Sequence, residues 1–195
     1  MRRAIAVGAA VLAATVCPGA APLTDLERQR LNAHLEMAAS WLESELAGLS
    51  AAQVEFRRNP DSWTILEVLD HLVVVGPIYW NDLQRAAPRT GGRVGTMSDA
   101  DVLWYGIDRT NRETALKTEE PRRQIRDVRS GLSAYRKQHA QLVEYIRTTK
   151  DDLRSRLVER QQSDAYQWAL LISTHEQRHI LQIREIKADP TFPAK

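Results

Sequence analysis

The sequence predicts an all-α protein: a four-helix bundle with one long crossover connection between its second and third long helices. Three observations carry this reading. Capping-box residues stand directly ahead of apolar residues that recur every three or four positions. Alternation of the strand type is scarce. The span 88–124 is rich in glycine, proline and charge, and it separates the two halves of the pattern. Four amphipathic helices bury their stripes by packing on one another, and a long connection permits a parallel step in an otherwise antiparallel bundle.

The chain opens with Met1-Arg2-Arg3, an apolar stretch over 4–16, and Pro18-Gly19-Ala20-Ala21-Pro22. These are the three parts of a secretory signal peptide, with Gly19 and Ala21 placed where a signal peptidase reads small side chains. Removal of residues 1–21 is expected, leaving 22–195 as one domain. The apolar stretch is too short to span a bilayer, and no other stretch is long enough. Lipidation of Cys17 is a poor fit, because Ala14 and Val16 stand where a leucine-type and a small residue are wanted.

Loss of the segment also changes the chemistry that is available. The chain carries 27 basic and 25 acidic side chains. Without Arg2 and Arg3 the two sets balance, which leaves no basic field for a nucleic acid. Cys17 is the single cysteine, so the mature chain has no thiol for a disulfide, a Cys-zinc site, a nucleophile or a haem attachment.

The first helix starts at the box Thr24-Asp25-Leu26-Glu27 and runs to about Leu49 through Leu31, Leu35, Ala38, Leu42 and Leu46. Asn59-Pro60-Asp61 breaks any continuation. A second box, Thr64-Ile65-Leu66-Glu67, opens the second helix, with Trp63 ahead of the cap and Val68 in place to staple against it. That helix should reach about Ala86 and kink at Gly76-Pro77, where one backbone bond is lost. Within the connection a short helix is predicted over 98–108, carrying Trp104 and Tyr105. Leu132, Tyr135, Leu142, Val143 and Ile146 mark the third long helix. Ser163 or Asp164 caps the fourth, whose stripe is Trp168, Leu171, Ile172, Ile183 and Ile186.

The histidines matter by their position around the helix. At about 100 degrees per residue, His175 falls roughly 20 degrees to one side of Trp168 and His179 roughly 20 degrees to the other. Both therefore face the core, where an unpaired imidazole is costly and a metal ion satisfies two at once. His71, on the flank of the second helix one turn after Glu67, completes a three-imidazole site between two helices with coordination positions left open. His34 reads as structural. His139, on the apolar face of the third helix, reads as structural too, with a fourth-ligand role as its alternative.

His175-Glu176-Gln177-Arg178-His179 also fits H-E-x-x-H, the zinc-protease pattern. The surroundings of that pattern are missing. Gln182 replaces the glycine of the extended motif, no later histidine follows, Glu185 lies on the same helix, and no strand region offers a substrate edge. Glu176 itself falls about 80 degrees from the stripe centre, which suits bracing a neighbour or meeting solvent.

Trp63-Thr64-Ile65-Leu66-Glu67-Val68-Leu69-Asp70-His71-Leu72 resembles the second-helix signature of DinB-like proteins, and His175-Glu176-Gln177-Arg178-His179-Ile180-Leu181-Gln182-Ile183 resembles their C-terminal motif. Asp164-Ala165-Tyr166-Gln167-Trp168 and Lys187-Ala188-Asp189-Pro190 look like an exported bacterial branch. The resemblance covers nearly all of the mature chain. It implies a four-helix bundle with a crossover and a divalent metal, such as nickel, zinc or iron, on histidines that map to His71, His175 and His179. It further implies either a thiol-dependent transferase or isomerase, or a metal-dependent hydrolase. An export signal would part this chain from the cytosolic thiol pool, which favours the hydrolase.

The expectation is therefore an exported, periplasmic or secreted metal-dependent enzyme, acting on a small-molecule substrate that the sequence does not name. Glu67 and Glu176, one near each ligand helix, are the candidate groups either to support the ligands from behind or to act as general base. A non-catalytic metal carrier or a partner-binding bundle is the alternative from another class, and a homodimer is compatible with either.

Overall fold

Each helix starts where a side chain can satisfy orphan amides. α1 (Asp25–Leu46), α2 (Ala51–Val54) and α3 (Ile65–Gln84) open at Thr24, Ser50 and Thr64. α4 (Asp99–Ile107), α5 (Val128–Thr148) and α6 (Ala165–Lys187) open at Ser98, Asp127 and Asp164. All six caps form complete capping boxes, and each cap is worth about 1 kcal/mol. This computed structural model describes residues 21–88 and 97–194. The expected signal segment up to residue 20, with Cys17, and the glycines at 91, 92 and 95 lie outside the described residues.

Two boundaries differ from expectation. α1 stops at Leu46, because Gly48 turns left-handed with φ 68 and Ser50 then caps the unpredicted α2. Three short strands, β1 (Ala87–Pro88), β2 (Arg156–Val158) and β3 (Ser163–Asp164), form an antiparallel sheet in that order, pairing Ala87 with Leu157 and Val158 with Ser163. Elements of two or three residues have no alternation to read. Among the described residues no helix is long and apolar enough to cross a membrane.

The four long helices pack in the cyclic order α1, α6, α3, α5. Leu69 meets Gly131, Val73 meets Gln138 and Trp80 meets Tyr145, so α3 and α5 run parallel. His34 meets Ser173 and Glu45 meets Lys187, so α1 and α6 are parallel too. The two pairs oppose each other, as Tyr79 against Trp168 and Arg136 against Glu43 show. The crossover is what allows the parallel α3–α5 step. On its way it lays α4 along α6, where Gly106 approaches the backbone of Thr174 too closely for any side chain.

α6 therefore departs from the one-stripe picture. Its apolar stripe is buried as expected except at Ile172, which is half-buried, but Thr174, Gln177 and Arg178 are buried as well, because α4 covers the polar side, and Ser173 is buried against α1. α3 passes through Pro77 without a break. Proline removes the amide that would bond the carbonyl of Val73, and Gln138 Nε2 donates to that oxygen from α5 at 3.1 Å. The missing side chain of Gly76 makes room for the glutamine amide.

Two ionic groups, one buried and one half-buried, fasten the connections. Asp70 accepts from the amides of Arg122, Arg123, Gln124 and Ile125 at 2.5, 2.6, 2.9 and 3.2 Å, which pins the end of the crossover to α3. Arg154 pairs with Glu27, Asp99 and Asp164, so one guanidinium gathers the N-terminal ends of α1, α4 and α6.

Candidate metal centre

His71 sits in the second turn of α3, and His175 and His179 sit one turn apart in α6. Nε2 of His175 lies 3.3 Å from Nε2 of His71 and 3.1 Å from Nε2 of His179. His71 and His175 are buried and His179 is half-buried. The other nitrogens orient the rings. His71 Nδ1–H donates to the carbonyl of Glu119 at 2.6 Å, a contact only a donor can make. His179 Nδ1–H donates to Gln182 Oε1 at 2.8 Å. Both Nε2 atoms of these residues therefore present lone pairs to the same point.

A proton on His175 Nε2 serves only one neighbour at a time, whereas one cation serves all three. Nitrogens about 2.1 Å from an ion stand about 3.0 Å apart at right angles and about 3.4 Å apart in a tetrahedron. The two distances found here fall inside that interval. Protons compete poorly for the site. Burial holds the His71 pKa down at about 4 and keeps His175 and His179 well below the usual imidazole value, helped in the last two by the neighbouring imidazoles. The three residues form a group that could hold a metal ion. A profile described as the DinB superfamily matches residues 25–183, most of the chain.

The chain belongs to the DinB superfamily. No curated protein and no solved structure gave a match. In this DinB-superfamily chain the three expected ligands come together, and His139 does not join them. His139 instead stacks on Tyr135 at 5.6 Å and lines a pocket that His175 also borders. His34 is half-buried on α1, its carbonyl accepting from Ser173.

The two candidate glutamates have different surroundings. Glu67 closes its own capping box through Oε2 and pairs with Arg57 through Oε1 at 2.7 Å, so both oxygens are engaged. Glu176 is buried and accepts from the Tyr135 hydroxyl at 2.9 Å, and burial pushes its carboxyl up to about 8. That is the bracing of a neighbouring helix which its angle on α6 suggests. Tyr79 faces the site, 5.3 Å from the His175 ring. Trp104 is 62% exposed, and Tyr105 donates to Glu113.

Several residues that shape the centre escape the pattern of spacing. Trp63, read only as a staple, sets its ring 4.9 Å from His71 and 6.2 Å from His179. Glu119 contributes a carbonyl, which no side-chain pattern reports. Arg178 is buried and donates to the carbonyls of Tyr105, Asp108 and Asn111, clamping the crossover over α6. Asp70 left the clearest trace, a carboxylate inside the apolar run Val68-Leu69-Asp70-His71-Leu72-Val73.

Proposed function

We propose that the protein is an exported divalent-metal-dependent enzyme of the hydrolase type, with His71, His175 and His179 holding zinc, nickel or iron. The observation that carries this reading is the convergence of three Nε2 lone pairs, two of them fixed by acceptors behind the rings. Imidazole donors suit any of these metals. When bound, such an ion supplies Lewis acidity to a water or to a substrate oxygen. Among the described residues the group has three members and no fourth protein ligand, which supports an enzyme with an open position over a closed carrier.

The protein's own groups supply the rest. The Glu119 carbonyl and Gln182 orient two of the imidazoles, Trp63 covers their faces, and Tyr79 borders the third. Glu176 fits a proton-handling role better than Glu67. Its pKa near neutrality matches what a general acid or base needs, and it lines a pocket together with His175. The substrate is a small molecule, and export follows from the N-terminal signal pattern.

Metal analysis of the protein purified from an exporting host tests this. About one ion per chain is expected, lost in His175→Ala and His179→Ala, along with a metal-dependent hydrolysis of nitrophenyl esters that chelation abolishes. A metal-free protein, or full metal content in the His175→Ala, His179→Ala double variant, defeats the reading. A mature chain that still begins at Met1 defeats export.

A further inference from the structure

A pocket with a cavity volume of about 110 Å³ opens between α3, α5 and α6, next to the cluster of three imidazoles. His71 and His179 do not line it, and His175 does. Its size suits a molecule of about one aromatic ring, the scale of the apolar cavities that take up benzene. Leu72, Val75, Pro77, Trp80, Leu142 and Ile172 make most of the wall. The polar part of the lining includes Tyr135, Glu176 and His139.

Tyr135 and Glu176 satisfy each other, whereas Nδ1 of His139 is buried with no hydrogen-bond partner. Leaving such a group unpaired costs about 1–3 kcal/mol. The ring lies against Tyr135 with planes 28 degrees apart. A half-turn about Cβ–Cγ keeps that stack while turning the nitrogen's edge, and this torsion is soft for imidazole. No Lys or Arg lines the pocket and Glu176 is its one acidic residue, so nothing there compensates a negative ligand charge, and an unpaired charge in such surroundings is strongly disfavoured.

From the apolar wall and the unpartnered nitrogen we infer that this pocket binds a small molecule without a negative charge, with an apolar body and one hydroxyl or amide group, which pairs with His139. The site goes beyond the metal reading and does not need the ion.

The test is a titration of ¹⁵N-labelled protein with benzyl alcohol and with toluene, read at the five tryptophan indole resonances, once as purified and once after chelation. Trp80, identified by loss of its peak in Trp80→Phe, should shift saturably with both probes, while the exposed Trp41 and Trp104 stay still. His139→Phe should weaken benzyl alcohol about 5-fold relative to toluene, the worth of one hydrogen bond of about 1 kcal/mol. Ile172→Trp, at a half-buried position, should block both probes. An unmoved Trp80, or an alcohol-to-toluene ratio unchanged in His139→Phe, overturns the proposal, and both can be read without the filled variant. Saturable Trp80 shifts in a protein that binds no metal would defeat the metal reading and leave the pocket standing.

Discussion

Asp70 shows how a residue that touches no ligand can govern the ligands. Its carboxylate is 2% exposed and takes four backbone amides of the crossover. The same segment supplies the Glu119 carbonyl that orients His71. In Asp70→Asn an amide NH₂ would replace one acceptor and face the amides it should receive. We expect a loss of about 3 kcal/mol in stability and at least about 10-fold weaker metal binding, the usual cost of disturbing a group behind a ligand. Urea unfolding and competition with a chelator measure the two. Reduced stability with unchanged metal affinity would show that the crossover does not position His71.

The helices carry their own compensations, and α3 with α5 is the case to measure. Pro77 orphans the Val73 carbonyl, Gln138 serves it, and Gly76 leaves the space. Gln138→Ala should cost about 1–2 kcal/mol. Gly76→Ala should destabilise the wild-type background, because the methyl meets the glutamine amide. In the Gln138→Ala background it should instead gain part of the roughly 0.5–1 kcal/mol by which alanine exceeds glycine in a helix. The double-mutant cycle should therefore show a coupling of about 1 kcal/mol. Strict additivity would mean that the two residues are not a compensating pair. The sequence shows Gly-Pro as a helix fault. It does not show the repair, because the repairing side chain comes from another helix.

For the molecule as a whole, the buried imidazoles set the response to acid. Burial lowers the pKa of His34 and of His139 below the ordinary 6.5. As pH falls through 6.5 the unfolded chain takes up protons that the folded chain refuses, so stability present at neutral pH is lost toward the depressed folded values. His139→Phe should reduce the loss of stability between pH 7.5 and 5.5. Chemical denaturation at the two pH values checks this. An unchanged or steeper acid slope in the variant would mean that His139 is not held neutral.

Helix existence, the caps at Thr24, Thr64 and Asp164, the short crossover helix and the inward-facing His175 and His179 were legible in the chain, whereas His71, read at the flank of its stripe, is buried. Each legible feature rests on spacing within one helix, and helical period is a local property. The ends of elements were less legible. Gly48 and Ser50 end α1 and open α2 through backbone geometry that two or three residues decide. The sequence by itself thus determined the helical bundle, the DinB-like motifs and the inward face of His175 and His179. Only the tertiary structure decided that α6 is covered on its polar side, that the Glu119 carbonyl aims His71, that Glu176 meets Tyr135, and that His139 lines a pocket that His175 also borders. These depend on which residues 40 to 100 positions apart meet across the bundle. Packing between helices sets that, and no local period encodes it.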